Sequence, residues 1–209
     1  MNSNSHKVQG LAYEKLHTSI RKEQIAEAAA TLLSEEGVRG LSMTALAHRV
    51  GLVPSAIYRH FKTKEDVLFA AIDAITDRLL SSIRAACEET SDPLERLRLL
   101  LMRQGRMIIE NRAIPREFSG DEIYKDHPER REKLYQSIGR YVAKVSSIIQ
   151  EGQASGQFRH DIDALTLSLI YIGLWRGALP FYVHGGGRFN LLKHLEKAWK
   201  AFSDMLTRR

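Results

Sequence analysis

Apolar residues recur at helical spacing through most of this chain, and nowhere do they sustain the alternation of a half-buried strand. In TSIRKEQIAEAAATLLSEEG, residues 18–37, Ile25, Ala28, Ala29, Leu32 and Leu33 share one face, and Gly37 is placed to end the helix. A short second helix follows, with Ser42 as its N-cap and Leu46 and Val50 facing inward. Gly51 supplies a sharp turn. Pro54 or Ser55 then opens a third short helix, anchored by Ile57 and Phe61. Thr63 begins TKED, a capping box with Asp66 at the third helical position. The stripe Leu68, Ala71, Ile72, Ile75, Leu79, Ile83 carries a fourth helix for many turns until Pro93 interrupts.

Further helices are predicted at about 94–111, 128–154, 162–183 and 190–207, separated by Pro115, Pro128, Gly156 and the HGGG run at 184–187. Residues 112–127 fit no single element. Residues 1–17 are polar and without period, and read as a flexible arm. The pattern is all-α: a three-helix unit over 18–66, then a larger helical domain over 67–209. No internal repeat and no low-complexity tract interrupts it.

Composition narrows the classes. The chain has 209 residues, 44% of them hydrophobic, which is enough for a packed core. Cys87 is the only cysteine, so an intrachain disulfide and a thiolate-rich zinc site are excluded. No run of roughly eighteen apolar residues is present, so no membrane partner is expected. The start, MNSNSHKVQGLAYEKLH, has no apolar core of a secretory signal, and a cytoplasmic protein is the simplest reading.

The net charge of +6 matters less than its distribution. Between Gly37 and Lys64 there is no Asp or Glu, but there are Arg39, Arg49, Arg59, Lys62 and Lys64. Two short helices joined by a glycine turn make a helix-turn-helix. A short exposed helix fits the major groove of duplex DNA, and the cations around it meet the phosphates.

The stretch LSMTALAHRVGLVPSAIYRHFKTKEDVL resembles the DNA-binding signature of the tetracycline-repressor (TetR) family of bacterial regulators. The shared features are Ser42 opening the second helix, Leu46-Ala47, Gly51, the small pair Ser55-Ala56, Tyr58-Arg59-His60-Phe61, and Lys64-Glu65 before Val67-Leu68. The match spans roughly residues 20–70. Pro54 stands where Ser or Thr is frequent, and Leu41 where Thr is common. By this resemblance Tyr58, His60 and Lys64 touch backbone phosphates, and Ser42 or Thr44 a further one. Arg49, Ser55 and Arg59 are the candidates nearest base edges, since arginine suits bidentate reading of guanine. For His60 and Lys62 a solvated face is the plainer alternative.

The resemblance also implies a C-terminal domain that dimerises and binds a small molecule. DALTLSLIYIGLWRGALPFYV, from Asp163, is apolar nearly all round, and Leu192, Leu195, Trp199, Phe202 and Leu206 recur as a seam. Leu169, Gly173, Gly177, Leu195, Trp199 and Phe202 are the expected dimer residues. Met102, Met107, Phe118, Tyr124, Tyr171, Trp175 and Arg176 are pocket candidates by type, with ordinary core as the plainer alternative. Arg176 on an apolar helix needs a carboxylate partner, and an internal pair is the favoured one. GDEIYKDHPERREK, from Gly120, reads as an exposed charged linker.

Catalytic signatures are weak. Only Glu14-x-x-His17 has carboxylate-x-x-His spacing, and a di-iron bundle needs two such pairs. No phosphate-binding loop and no nucleophile elbow is present, and HGGG without strands is a helix-breaking loop. An enzyme is disfavoured, and no cofactor or metal is implied. The expectation is a homodimeric DNA-binding repressor, released from a near-palindromic operator by a small molecule. The alternative is a scaffold of the same fold that acts through a protein partner without a ligand.

Overall fold

The computed structural model describes residues 3–110, 127–185 and 187–208. Those residues form helices and no strands: α1 (Ser3–Gly40), α2 (Met43–Arg49), α3 (Pro54–His60), α4 (Lys64–Glu89), α5 (Pro93–Ile109), α6 (Pro128–Ala154), α7 (Ala164–Arg176), α8 (Leu179–His184) and α9 (Leu191–Thr207). The expected all-α class is what the chain adopts. The chain divides into two compact units within α4, between Ile75 and Thr76, and the start of α6 through Lys133 belongs to the first.

The first unit follows its local signals closely. Gly37, at φ 70°, breaks the regular course of α1 where the sequence places a stop. Ser42 caps α2 by accepting from the Ala45 amide at 3.0 Å. Gly51 sits at φ 67°, a left-handed conformation that closes the turn without a Cβ penalty. Pro54 occupies the first position of α3. The capping box is reciprocal: the Asp66 amide donates to Thr63 Oγ1 at 3.0 Å, and the Thr63 amide to Asp66 Oδ2 at 2.9 Å. Ile25, Leu33, Leu41, Leu46 and Ile57 are buried where α1, α2 and α3 pack together.

Two boundaries differ from expectation. α1 begins at Ser3, inside the segment read as an arm. That segment lacks an apolar stripe, but it also lacks proline, and backbone propensity does not require a buried face. The first unit also reaches Ile75 rather than residue 66, because about three turns of α4 belong with it.

In the second unit α5 packs on α9 and α7, and α7 on α9. Asp92, Asp163 and Asn190 cap α5, α7 and α9 by accepting from the amides of Leu94, Thr166 and Lys193. The helix expected over 162–183 is two helices. α7 ends at Arg176 and α8 starts at Leu179, because Pro180 cannot donate to the ladder and is accommodated only at the opening turn of a new helix. Gly105 faces Leu195 so closely that a Cβ on it would lie 2.6 Å from Leu195 Cδ1, which lets α9 settle onto α5.

Candidate nucleic-acid interface and the C-terminal core

α3 presents Ser55, Tyr58 and Arg59 to solvent, with Lys62 and Lys64 exposed just beyond it. Tyr58 is 48% exposed, a large aromatic with no core role, while its neighbours Ile57 and Phe61 are buried. This is the division expected of a helix that anchors on one side and offers the other. Ala56 is half-buried and lets the helix approach a neighbouring surface closely. Ser42 and Thr44 are exposed at the start of α2. The Ser42 oxygen accepts the cap bond, which leaves its O–H free to donate. Lys64 Nζ donates to the Val38 carbonyl at 3.1 Å, which aims the ammonium and leaves two donors over.

Two members of the expected set stand differently. Arg49 is exposed but paired: its Nη1 and Nη2 donate to Glu35 Oε2 and Oε1 at 2.5 and 2.9 Å. The fork-to-fork contact raises the Arg49 pKa and lowers that of Glu35, with the hydrogen bond the largest cause for each. His60 is half-buried rather than displayed, and its Nδ1 is buried without a partner. Burial lowers its pKa from the ordinary imidazole value, and Lys22, Arg21 and Arg59 push it the same way, which favours the neutral ring. A neutral imidazole offers phosphate an N–H hydrogen bond but no ionic attraction.

The same neighbourhood holds residues the sequence reading passed over. Arg21 and Lys22 on α1 extend the cationic field, and the Lys22 ammonium lies 5.8 Å from the Phe61 ring centre. The acid-free window starts at Gly37 and hides them. Val53 is 61% exposed at the N-cap of α3, where it makes no side-chain cap. An apolar residue there suits contact with a thymine methyl. Its signal was visible as a valine where Ser, Thr, Asp or Asn is preferred.

The start of α6 belongs to this unit as well. Arg130 donates from Nε and Nη2 to Glu65 Oε1 and Oε2, both at 2.6 Å, and Lys133 reaches Asp73 Oδ2 at 2.5 Å. The charges read as a solvated linker over 120–133 therefore include a paired helix start, which residue types alone do not reveal.

In the second unit Tyr171 and Trp175 are buried on one face of α7, and Met102 and Met107 are half-buried on α5. Phe118 and Tyr124 lie outside the described residues. Tyr171 donates to the Leu97 carbonyl at 2.8 Å. The Gln104 side-chain amide and the Tyr141 hydroxyl are bonded inside the core. Burial raises the pKa of both tyrosines, and Tyr141 adds to the shift of Tyr171. Arg176 is half-buried, with its guanidinium 5.8 Å from the Trp175 ring.

The dimer candidates divide. Leu195 and Phe202 are 0% and 3% exposed within one chain, so they serve its own core. Phe202 packs at 5.8 Å from Tyr171 and 6.1 Å from Trp199, itself half-buried. By contrast Leu165 and Leu169 are each 54% exposed and Ile170 is 40% exposed, with Gly173 exposed on the same helix and Gly177 at its C-cap. α7 is thus buried on one face only, and the other is apolar and uncovered.

An exposed cationic helix held by a capped turn, ahead of a larger helical unit, defines a helix-turn-helix DNA-binding protein. Comparison with known proteins places it further. The family "Bacterial regulatory proteins, tetR family" matches residues 25–71, and "Tetracyclin repressor-like, C-terminal domain" matches residues 90–187. The matches together take in more than half of the chain, which belongs to the TetR family of DNA-binding transcriptional regulators. The curated nucleoid occlusion factor SlmA of Vibrio vulnificus is 27% identical over 189 residues, 90% of this chain and 96% of that protein. A TetR/AcrR-family regulator from Thermobifida fusca superposes with a TM-score of 0.65 at 28% identity, covering 90% of this chain and 99% of that one. A TetR regulator from Chloroflexus aurantiacus gives a TM-score of 0.73 at 20% identity over 92% and 97% of the two chains, a likeness of fold.

Proposed function

We propose that the protein is a homodimeric, ligand-responsive repressor that binds a near-palindromic operator in the cytoplasm and leaves it when a small molecule occupies the C-terminal unit. The observation that supports this most is the uncovered apolar face of α7, Leu165, Leu169 and Ile170 beside Gly173 and Gly177. Two copies joined there would hold two α3 helices at a set separation, and operator symmetry would mirror the dimer. Ser42, Thr44, Tyr58, Lys62 and Lys64 position the protein on phosphates, while Ser55, Ala56 and Arg59 face the bases. A ligand releases DNA only if it binds the non-binding conformation more tightly. No catalytic step is assigned to any residue.

Selection of bound duplexes from a random pool tests the DNA-binding part. Enrichment of an inverted repeat supports it, and a pool that stays random refutes it. A second reading is favoured by the likeness to the nucleoid occlusion factor: a DNA-bound scaffold acting through a protein partner with no small molecule. Operator release by the low-molecular-weight fraction of a bacterial lysate separates the two, since a scaffold would stay bound.

A further inference from the structure

The acid-free run that ends at Lys64 is followed at once by two carboxylates, Glu65 and Asp66. Both lie in the first turn of α4, beside a lysine whose ammonium is aimed by the Val38 carbonyl. A bare carboxylate there opposes phosphate, because like charges repel, and more strongly beside protein than in open water. Asp66 is engaged in the capping box, where it accepts from the Thr63 amide. Glu65 is engaged by a residue 65 positions away. Arg130, at the start of α6, meets it with two parallel bonds, Nε to Oε1 and Nη2 to Oε2, both 2.6 Å. The two side chains are only 15% and 27% exposed, so salt screens the pair weakly.

Arg130 falls among residues 90–187, matched by the C-terminal family, yet its place in the fold is with the first unit. A fork-to-fork arginine occupies both carboxylate oxygens and cancels their charge where it sits. Glu35 on α1 is held by Arg49 with the same geometry. We infer that Arg130 is a positioning residue for DNA binding: it covers the Glu65 carboxylate, so that a phosphate meets Lys64 without an opposing charge beside it. The cationic face is thereby completed from outside the helix-turn-helix. This rests on the reading above that Lys64 faces the DNA backbone.

Equilibrium titrations of the full-length chain at low salt, on a duplex enriched from the random pool and on a scrambled one, test this. Arg130→Gln bares Glu65 and is expected to weaken binding to both duplexes by about threefold to tenfold. Glu65→Gln breaks the same contact and is expected to keep or strengthen binding. The double variant should bind like the wild type. Arg130→Lys keeps the charge without the fork and should stay within about twofold of the wild type. Lys133→Gln breaks the neighbouring pair with Asp73, about 12 Å further along α4, and should change binding little. A loss in Glu65→Gln equal to that in Arg130→Gln, or in Lys133→Gln equal to it, reduces the pair to a structural tie and overturns the inference. Unchanged binding in Arg130→Gln overturns it too. Should Arg130→Gln fail to fold, Glu65→Gln and Arg130→Lys decide, and a clear loss of affinity in either is the overturning result. Unchanged binding in Lys64→Ala is the separate result that removes the DNA backbone from this side of α4.

Discussion

Arg49 and Glu35 are joined by a two-pronged contact, 2.5 and 2.9 Å, that ties α2 to α1 across a sequence separation of 14. In this arrangement the Arg49 guanidinium ties α2 to α1, and no base contact is expected from it. Arg49→Ala is therefore expected to leave the preferred operator sequence unchanged in a random-pool selection. Both side chains are about a third exposed, so a double-mutant cycle with Glu35→Ala should give only about 0.2–1 kcal/mol of coupling in thermal melts. A shift of base preference on removing Arg49 would restore it to the reading set.

Arg59 and Lys64 should part in the opposite way. Arg59 is exposed on α3, and Arg59→Ala is expected to relax selection at one or two base positions, at about 1–3 kcal/mol each. Lys64→Ala is expected to weaken binding to all duplexes alike and to flatten the log affinity against log salt plot by about one unit of slope. Equilibrium titrations at several salt concentrations on operator and scrambled DNA make the comparison.

His60 predicts how acid acts on the first unit. Its folded pKa lies below 6.5 because of burial and of Lys22, Arg21 and Arg59. The unfolded chain therefore takes up a proton first as the pH falls. The stability it contributes is complete above the unfolded pKa and is lost as pH drops through the folded one. Melting temperatures measured from about pH 7.5 to about pH 5.5 should fall in the wild type and fall less in His60→Gln. Equal slopes would remove His60 from the account.

Gly51 is needed for its backbone angle and not for space. It lies at φ 67° with nothing within 4 Å of a Cβ placed on it. Gly51→Ala should cost about 1–2 kcal/mol of stability from left-handed strain alone. Gly51→Asn should cost less, since asparagine tolerates that region, and chemical denaturation monitored by circular dichroism resolves the order.

Leu169 and Leu195 predict different failures although both are leucines in apolar helices. Leu169→Asp is expected to leave the fold intact, abolish the dimer in sedimentation, and lower operator affinity more than tenfold. Leu195→Ala, in a fully buried position, is expected to cost roughly 2–5 kcal/mol in unfolding free energy. A dimeric Leu169→Asp variant would move the interface elsewhere.

The helix-turn-helix was legible because its determinants are local. The Ser42 cap, the Gly51 turn, Pro54 and the Thr63–Asp66 box each act within four residues, and each appears where the residue types place it. The interior of the second unit was not. Apolar periodicity identifies a buried face without saying whether the same chain or another copy buries it, so Leu195 and Leu169 looked alike. The pairing of Arg49 with Glu35, and of Arg130 with Glu65, depends on side chains brought together by packing. Spacing along the chain carries no trace of it. Pro180 was readable as a break and was outweighed by the hydrophobic run around it.

The join between α3 and α4 is Phe61, Lys62 and Thr63, and two of its three residues are anchored. Phe61 is sunk in the interior, and Thr63 is latched to Asp66 from both directions. A screwing motion of α4 about its own long axis would reach α3 through these two fixed points, much as a key's shank turns its bit. Under the ligand-responsive reading, a switch acting at this joint would turn α3 without unfolding it.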